Sequence, residues 1–217
     1  MQAFVSWSGG KDTFLACYNA MKDPNIKVRY LLNMVCEDGK YSRSHGISSV
    51  LLEAQSKAIG IPIVQRKTSW NNYEIEFKKA VLKLKKNGID SGIFGDIDFQ
   101  EHRDWIERVC KDVDIKPIFP LWKQERKEIL GEFINAGFKA IVVATNVKFL
   151  DKEWLGKEIN KEFMEELKVL KNIDLCGEKG EYHTFVYNGP IFKKPVKFII
   201  GKKTLKDKHW FLELVRG

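Results

Sequence analysis

The stretch Ala3-Phe-Val-Ser-Trp-Ser-Gly-Gly-Lys-Asp-Thr13, continued by Phe14-Leu-Ala-Cys-Tyr-Asn-Ala-Met21, constrains this chain more than any other. Residues 2–7 are mostly apolar and β-prone, and Gly9 and Gly10 interrupt them. Phe14, Leu15, Ala16, Tyr18 and Met21 then supply the apolar face of a helix. Strand, tight turn and helix in that order make a βα unit that opens at residue 2. Glycines let a bulky anion approach the backbone, and the free N–H groups and dipole at a helix start favour negative charge. Ser8, Lys11 and Thr13 add two hydroxyls and a cation, so the turn is expected to hold phosphate. Neither the G-x-x-x-x-G-K-[ST] spacing nor the G-x-G-x-x-G spacing is present, which excludes those two kinds of phosphate loop. An ordinary helix cap would also use Ser, Asp and Thr, so the residues flanking the turn have to decide.

Strand and helix patterns alternate after this unit. Residues 27–36 form a continuous apolar run of strand length, and residues 48–60 a short helix stopped by Gly60. Residues 61–66 read as a strand beginning at Pro62, 73–87 as an amphipathic helix with a lysine-rich outer face, and 91–96 as a strand ending at an acid. Regular alternation of this kind predicts a doubly wound α/β domain with a parallel sheet and right-handed crossovers. Pro117 and Pro120 make residues 115–122 an edge strand and a bend. A second, smaller α+β domain is expected from 121 to 217, after a first from 1 to 120. It holds helices at 123–136 and 160–170, a buried strand at 139–145, a β-prone run at 182–187, and short strands at 198–200 and 211–215 around a lysine-rich turn.

With 217 residues, 44% of them hydrophobic, the chain can fill a sizeable core. No apolar run approaches the roughly 18–20 residues needed to span a bilayer, and the N-terminus enters the phosphate turn directly. A cytoplasmic protein without membrane attachment is the expectation. Cys17, Cys36, Cys110 and Cys176 are scattered, which predicts reduced thiols and no structural metal. The formal charge is +8, with 37 Lys and Arg against 29 Asp and Glu. It reads as an excess shared by both halves without a basic tail, which suits a polyanionic ligand such as ATP.

Three further segments carry functional residue types. Tyr41-Ser-Arg-Ser-His-Gly46 follows the second strand, where a loop would lie over a nucleotide. Gly95 and Asp96 end a central strand, and His102 stands on the next helix, so Asp96 and His102 are expected to face the crevice of the phosphate turn. Gly177-Glu-Lys-Gly-Glu-Tyr-His-Thr184 gathers two acids and a histidine between glycines, and is expected to form the opposite wall.

Ser8-Gly-Gly-Lys-Asp-Thr13 resembles the S-G-G-x-D-[ST] PP-loop of N-type ATP pyrophosphatases. Together with the 95–110 block, Pro120-Leu-Trp122 and Gly177-Glu-Lys-Gly-Glu-Tyr-His-Thr184, it makes the chain similar nearly end to end to the diphthine–ammonia ligase family. That resemblance implies an adenine nucleotide alpha-hydrolase-like, Rossmann-like fold. The implied reaction amidates the diphthine carboxylate of elongation factor 2 with ATP and ammonium, forming AMP and pyrophosphate. Carried onto this sequence, it implies nucleotide contacts at Ser6, Ser8, Gly9, Gly10, Lys11, Asp12, Thr13, Gly95, Asp96 and His102. Lys11 and Asp12 would serve the phosphoryl chemistry, with Mg2+ held through Asp12. Glu178 and Glu181, with His183 beside them, would bind ammonium or accept its proton. The expected partners are the diphthine-bearing factor and ammonium, with no stable nucleic acid and with self-association left open. Two other readings fit the same fold. A PP-loop tRNA-modifying enzyme would require a cysteine pair absent from this sequence, and an adenine-nucleotide sensor would bind ATP without turnover.

Overall fold

A computed structural model describes residues 1–43 and 45–217. The first sheet comprises β1 (Gln2–Ser6), β2 (Lys27–Val35), β3 (Ile63–Lys67), β4 (Ser91–Ile93) and β5 (Lys116–Ile118), in the order β3-β2-β1-β4-β5 with every pair parallel. Its helices are α1 (Lys11–Met21), α2 (Ser49–Ile59), α3 (Tyr73–Lys85) and α4 (Gln100–Asp112). The chain winds outward from β1 to β3 and then returns to the other side of β1. The topological switch therefore falls between β1 and β4, and a ligand crevice is expected at their carboxyl ends.

Local chemistry explains the boundaries. Ser48 caps α2 by accepting from the Leu51 amide, and Gly60 ends it in the left-handed region at φ 79°. Pro117 lies in the edge strand β5, where its missing N–H costs least. β4 is shorter than its sequence suggests and stops at Ile93. Beyond it the chain crosses the start of α1: a Cβ on Gly95 would stand 3.1 Å from the Asp12 carbonyl carbon and the Thr13 nitrogen. β2 is buried throughout only in its second half.

The remaining elements are α5 (Arg126–Asn135), β6 (Lys139–Asn146), α6 (Lys161–Lys168), β7 (Tyr182–Asn188), β8 (Phe198–Lys206) and β9 (His209–Arg216). Their sheet is antiparallel in the order β7-β6-β9-β8. α5 begins three residues later than expected, because Lys123 takes a left-handed φ of 57° and its amide bonds to Ile97. The two short C-terminal strands prove to be one long hairpin, closed by Asp207 and Lys208 at φ 48° and 62°. β8 is exposed along nearly its whole length, so it lacks the apolar alternation that marks a strand in sequence.

Each sheet draws its strands from one side of residue 120, yet a single hydrophobic cluster joins them. Phe14 on α1 stacks on Phe192 with ring centres 5.1 Å apart and meets Phe138 edge-on at 5.9 Å. α1 and α2 are thus covered by the second sheet, while Phe4, Phe77, Phe94 and Val109 build a separate core under α3 and α4. Among the described residues, no helix is long and apolar enough to cross a membrane.

Candidate functional site

The turn after β1 is held from three sides. Gly9 has φ 82°, and a side chain there would press into Leu52 and to 2.8 Å from Gln55 Oε1. Gln55 is fully buried and donates to the Gly9 and Val186 carbonyls at 3.0 and 2.7 Å, while the Val186 amide donates to Gly9 at 3.1 Å. β7 therefore fixes the phosphate turn as firmly as its own helix does. Ser8 and Thr13 join hydroxyls at 2.8 Å. The first turn of α1 has no conventional side-chain cap; the Gly10 amide reaches Ser8 Oγ at 3.3 Å and the Lys11 amide donates to Thr184 Oγ1 at 3.0 Å. Thr184 thus occupies the Lys11 amide that sequence reasoning reserved for phosphate.

Lys11 is buried. Its ammonium donates to Asp12 Oδ2 at 2.9 Å and to the Cys176 carbonyl, and lies 5.0 Å from the centre of the Tyr182 ring. Burial, the largest effect, works against this charge, but its neighbours together, Asp12 foremost, outweigh it, and the ammonium stays protonated well above its ordinary range. Lys11 accordingly fastens the phosphate turn to the 174–184 loop. In that loop Tyr182 donates to the Leu175 carbonyl at 2.6 Å, and Arg126 bridges Asp174 and Asp98, each at 2.7 Å.

The expected pair of acids separates. Glu178 lines the cavity, and burial followed by the nearby Asp12 raises its carboxyl to about 7. Glu181, paired with it in the sequence reading, is fully buried and does not line the cavity. Its two oxygens accept from the Asp174 and Lys179 amides at 3.0 and 2.9 Å, so it clamps its own loop and does not face the cavity. Cys176 is no thiolate: burial pushes it up to about 12, and its sulfur bonds to the Arg126 carbonyl at 3.4 Å. All four cysteines are free thiols.

A cavity of about 520 Å³ opens between the turn and this loop. Ser6, Ser8, Lys11, Asp12, Thr13, Gly95, Asp96, His102, Glu178 and His183 all line it, whereas Gly9 and Gly10 form the backbone behind it. His102 stands at the exposed rim with Nδ1 3.5 Å from Asp96, whose hydrogen bond raises its pKa. Sequence reasoning missed Asn33 and Tyr73 as lining residues. Arg43 and His45 belong to the 41–46 loop already suspected of covering a nucleotide; its Ser44 lies outside the described residues. His45 stacks on His183 with ring centres 4.4 Å apart, and a Cβ on Gly10 would lie 2.8 Å from its ring. Burial above all keeps both imidazoles neutral, His183 at about 4 and His45 well below its ordinary range, and Lys11 adds to the effect.

Buried polar atoms are nearly always paired in folded proteins. Among the described residues, Asp12 Oδ1, Asn33 Oδ1, Arg43 Nε and His45 Nδ1 are buried without a partner, and all four residues line this one cavity. Two acceptor oxygens, one guanidinium N–H and an imidazole nitrogen without partners, around glycines and a helix start, suit a nucleoside triphosphate. The described residues form no cluster of three His, Cys, Asp or Glu able to hold a metal alone. Mg2+ takes one or two carboxylates and draws its other ligands from phosphates and water, and the unpartnered Asp12 Oδ1 fits that requirement.

Comparison with known proteins agrees with this geometry. The family model for the diphthamide synthase N-terminal domain matches residues 1–117, and that for the diphthamide synthase C-terminal domain matches residues 125–217. The diphthine–ammonia ligase of Rattus norvegicus is 27% identical over 216 residues, covering 87% of this chain and 79% of its own length. The Homo sapiens diphthine–ammonia ligase is 26% identical over 215 residues with the same coverage. A solved structure described as a predicted subunit of tRNA methyltransferase from Methanocaldococcus jannaschii covers 90% of this chain and all of its own at 19% identity. Its TM-score of 0.44 is too low to carry weight.

Proposed function

The chain belongs to the diphthamide synthase family, and on that premise we propose that it is an ATP-dependent diphthine–ammonia ligase acting on elongation factor 2 in the cytoplasm. ATP and ammonium are its small substrates, and AMP and pyrophosphate leave with the amide. The observation that carries this reading is the set of four unpartnered buried polar atoms between the phosphate turn and the 174–184 loop.

In the proposed reaction the substrate carboxylate attacks the α-phosphorus of ATP, the bond to pyrophosphate breaks, and ammonia then displaces AMP from the acyl carbon. The α1 N-terminus and the Ser8 and Thr13 hydroxyls would stabilise the departing pyrophosphate. When bound through Asp12, Mg2+ would supply charge neutralisation across the phosphates. The Lys11 ammonium is fixed beside Asp12 and contributes positive charge without leaving the wall. His45 and His183, held neutral, offer hydrogen bonds without adding charge. Glu178 is the acid free to receive ammonium and take its proton. The crevice between the two sheets would shield from water an adenylate that otherwise hydrolyses.

The test is incubation with diphthine-bearing elongation factor 2, ATP and ammonium, followed by mass measurement of the factor and counting of AMP. One amide formed per AMP is expected. AMP release with the factor unchanged, or no turnover at all, would refute the assignment.

A further inference from the structure

We propose that the β8–β9 hairpin is the docking surface for an acidic face of the protein acceptor, a reading that rests on the function given above. Residues 193–217 contain eight Lys and Arg against two Asp and Glu, in a chain whose formal charge is +8. Residues 1–120 hold part of the surplus, but within the second half it is concentrated in this one short segment, since residues 121–192 carry no excess of cations. All eight are exposed, and none makes an ion pair among the described residues. Elsewhere Lys and Arg side chains are commonly paired, as Lys78 and Arg108 are around Glu74.

The hairpin is apolar as well as cationic. Ile199, Ile200, Leu205 and Val215 are 62, 55, 53 and 49% exposed. Aliphatic groups inside a charged rim are the composition of a protein-binding surface. β8 is also an edge strand with one unpaired side. Lysines on an edge deter strand pairing, but that purpose needs no cations at residues 193, 194 and 216.

Its position fits a protein that must present one side chain to the cavity. The sheet register aligns His183 of the cavity wall with Ala144, Phe211 and Thr204 in one row across four strands. At about 4.8 Å per strand, Thr204 stands roughly 14 Å from His183. Phe211 also reaches the 41–46 loop, whose Arg43 and His45 line the cavity: a Cβ on Gly46 would lie 3.4 Å from its ring. A partner lying on the hairpin therefore borders the mouth. A second copy of this chain is disfavoured because it would bring the same cationic face against this one. Single-stranded nucleic acid is held largely by stacking on aromatic rings, and the exposed apolar side chains here are aliphatic.

The experiment compares wild type with the triple variant Lys197→Glu/Lys202→Glu/Lys206→Glu and its Lys→Arg counterpart. Binding to immobilised diphthine-bearing elongation factor 2 and steady-state amidation are both measured, at two salt concentrations. The Glu variant should bind at least tenfold more weakly and show a raised KM for the factor, with the KM for ATP unchanged. The Arg variant should match wild type, and salt should weaken wild-type binding more than that of the Glu variant. A Lys→Gln triple variant replaces the Glu variant if its melting temperature falls. Equal binding by wild type and the charge variants, or no binding by wild type, overturns the docking surface. So does tighter, hairpin-dependent binding to a single-stranded oligonucleotide. Failure of wild type to amidate the factor refutes the function instead, because docking is read from binding alone.

Discussion

The buried Lys11 and the partly buried Asp12 form an ion pair at the start of α1, and the pair serves both stability and the site. Removing Asp12 leaves the ammonium with only the Cys176 carbonyl and the face of the Tyr182 ring. Asp12→Ala is therefore expected to lower stability by about 3 kcal/mol as well as to abolish turnover. The double variant Lys11→Met/Asp12→Ala should recover most of that stability in a denaturant titration while staying inactive; equal losses in both variants would show that the pair is not coupled. Glu178 makes a pH prediction. Its folded pKa of about 7 lies above its ordinary value of 4.5, so the stability it contributes is full below pH 4.5 and is lost as pH rises through 7. The Glu178→Gln variant should lack that loss. Its ionised form is the one that receives ammonium, so the KM for ammonium should rise as pH falls below about 7, and the Gln variant should show no such limb. An unchanged profile in that variant would assign the ammonium site elsewhere.

Helix α1 has to start close under the crossing at Gly95, and that closeness belongs to the elements rather than to any side chain. A methyl group at Gly95 would meet backbone, which cannot swing aside as a side chain can. Gly95→Ala is expected to displace the start of α1 and reduce kcat/KM for ATP by at least tenfold, measured by pyrophosphate release. Rates equal to wild type would mean that this approach is not needed for nucleotide binding. The 174–184 loop is likewise an element built for position, clamped by Glu181 from within and by Arg126 from α5.

Across the whole molecule the two sheets share one core, with Phe14 reaching Phe138 and Phe192 from the opposite half. Separating residues 1–120 would expose the faces of α1 and α2 that the second sheet covers. That fragment is expected to lack a cooperative transition, whereas the intact chain should unfold in one step by circular dichroism in urea. A cooperative transition in the fragment would establish the first half as an independent domain.

The sequence by itself determined the alternation of strands and helices, the phosphate turn and the segment that faces it. Those features rest on local periodicity, glycine conformation and a contiguous motif, which neighbouring residues specify. Only the tertiary structure decided which of two nearby acids faces the cavity, because Glu181 turns inward to amides of its own loop while Glu178 does not. Only tertiary contacts brought His45 onto His183, 138 positions further along the chain, and spent the Lys11 amide on Thr184. The hairpin's length was hidden for the opposite reason: β8 packs against so little that its sequence carries no buried face, and only pairing with β9 makes it a strand.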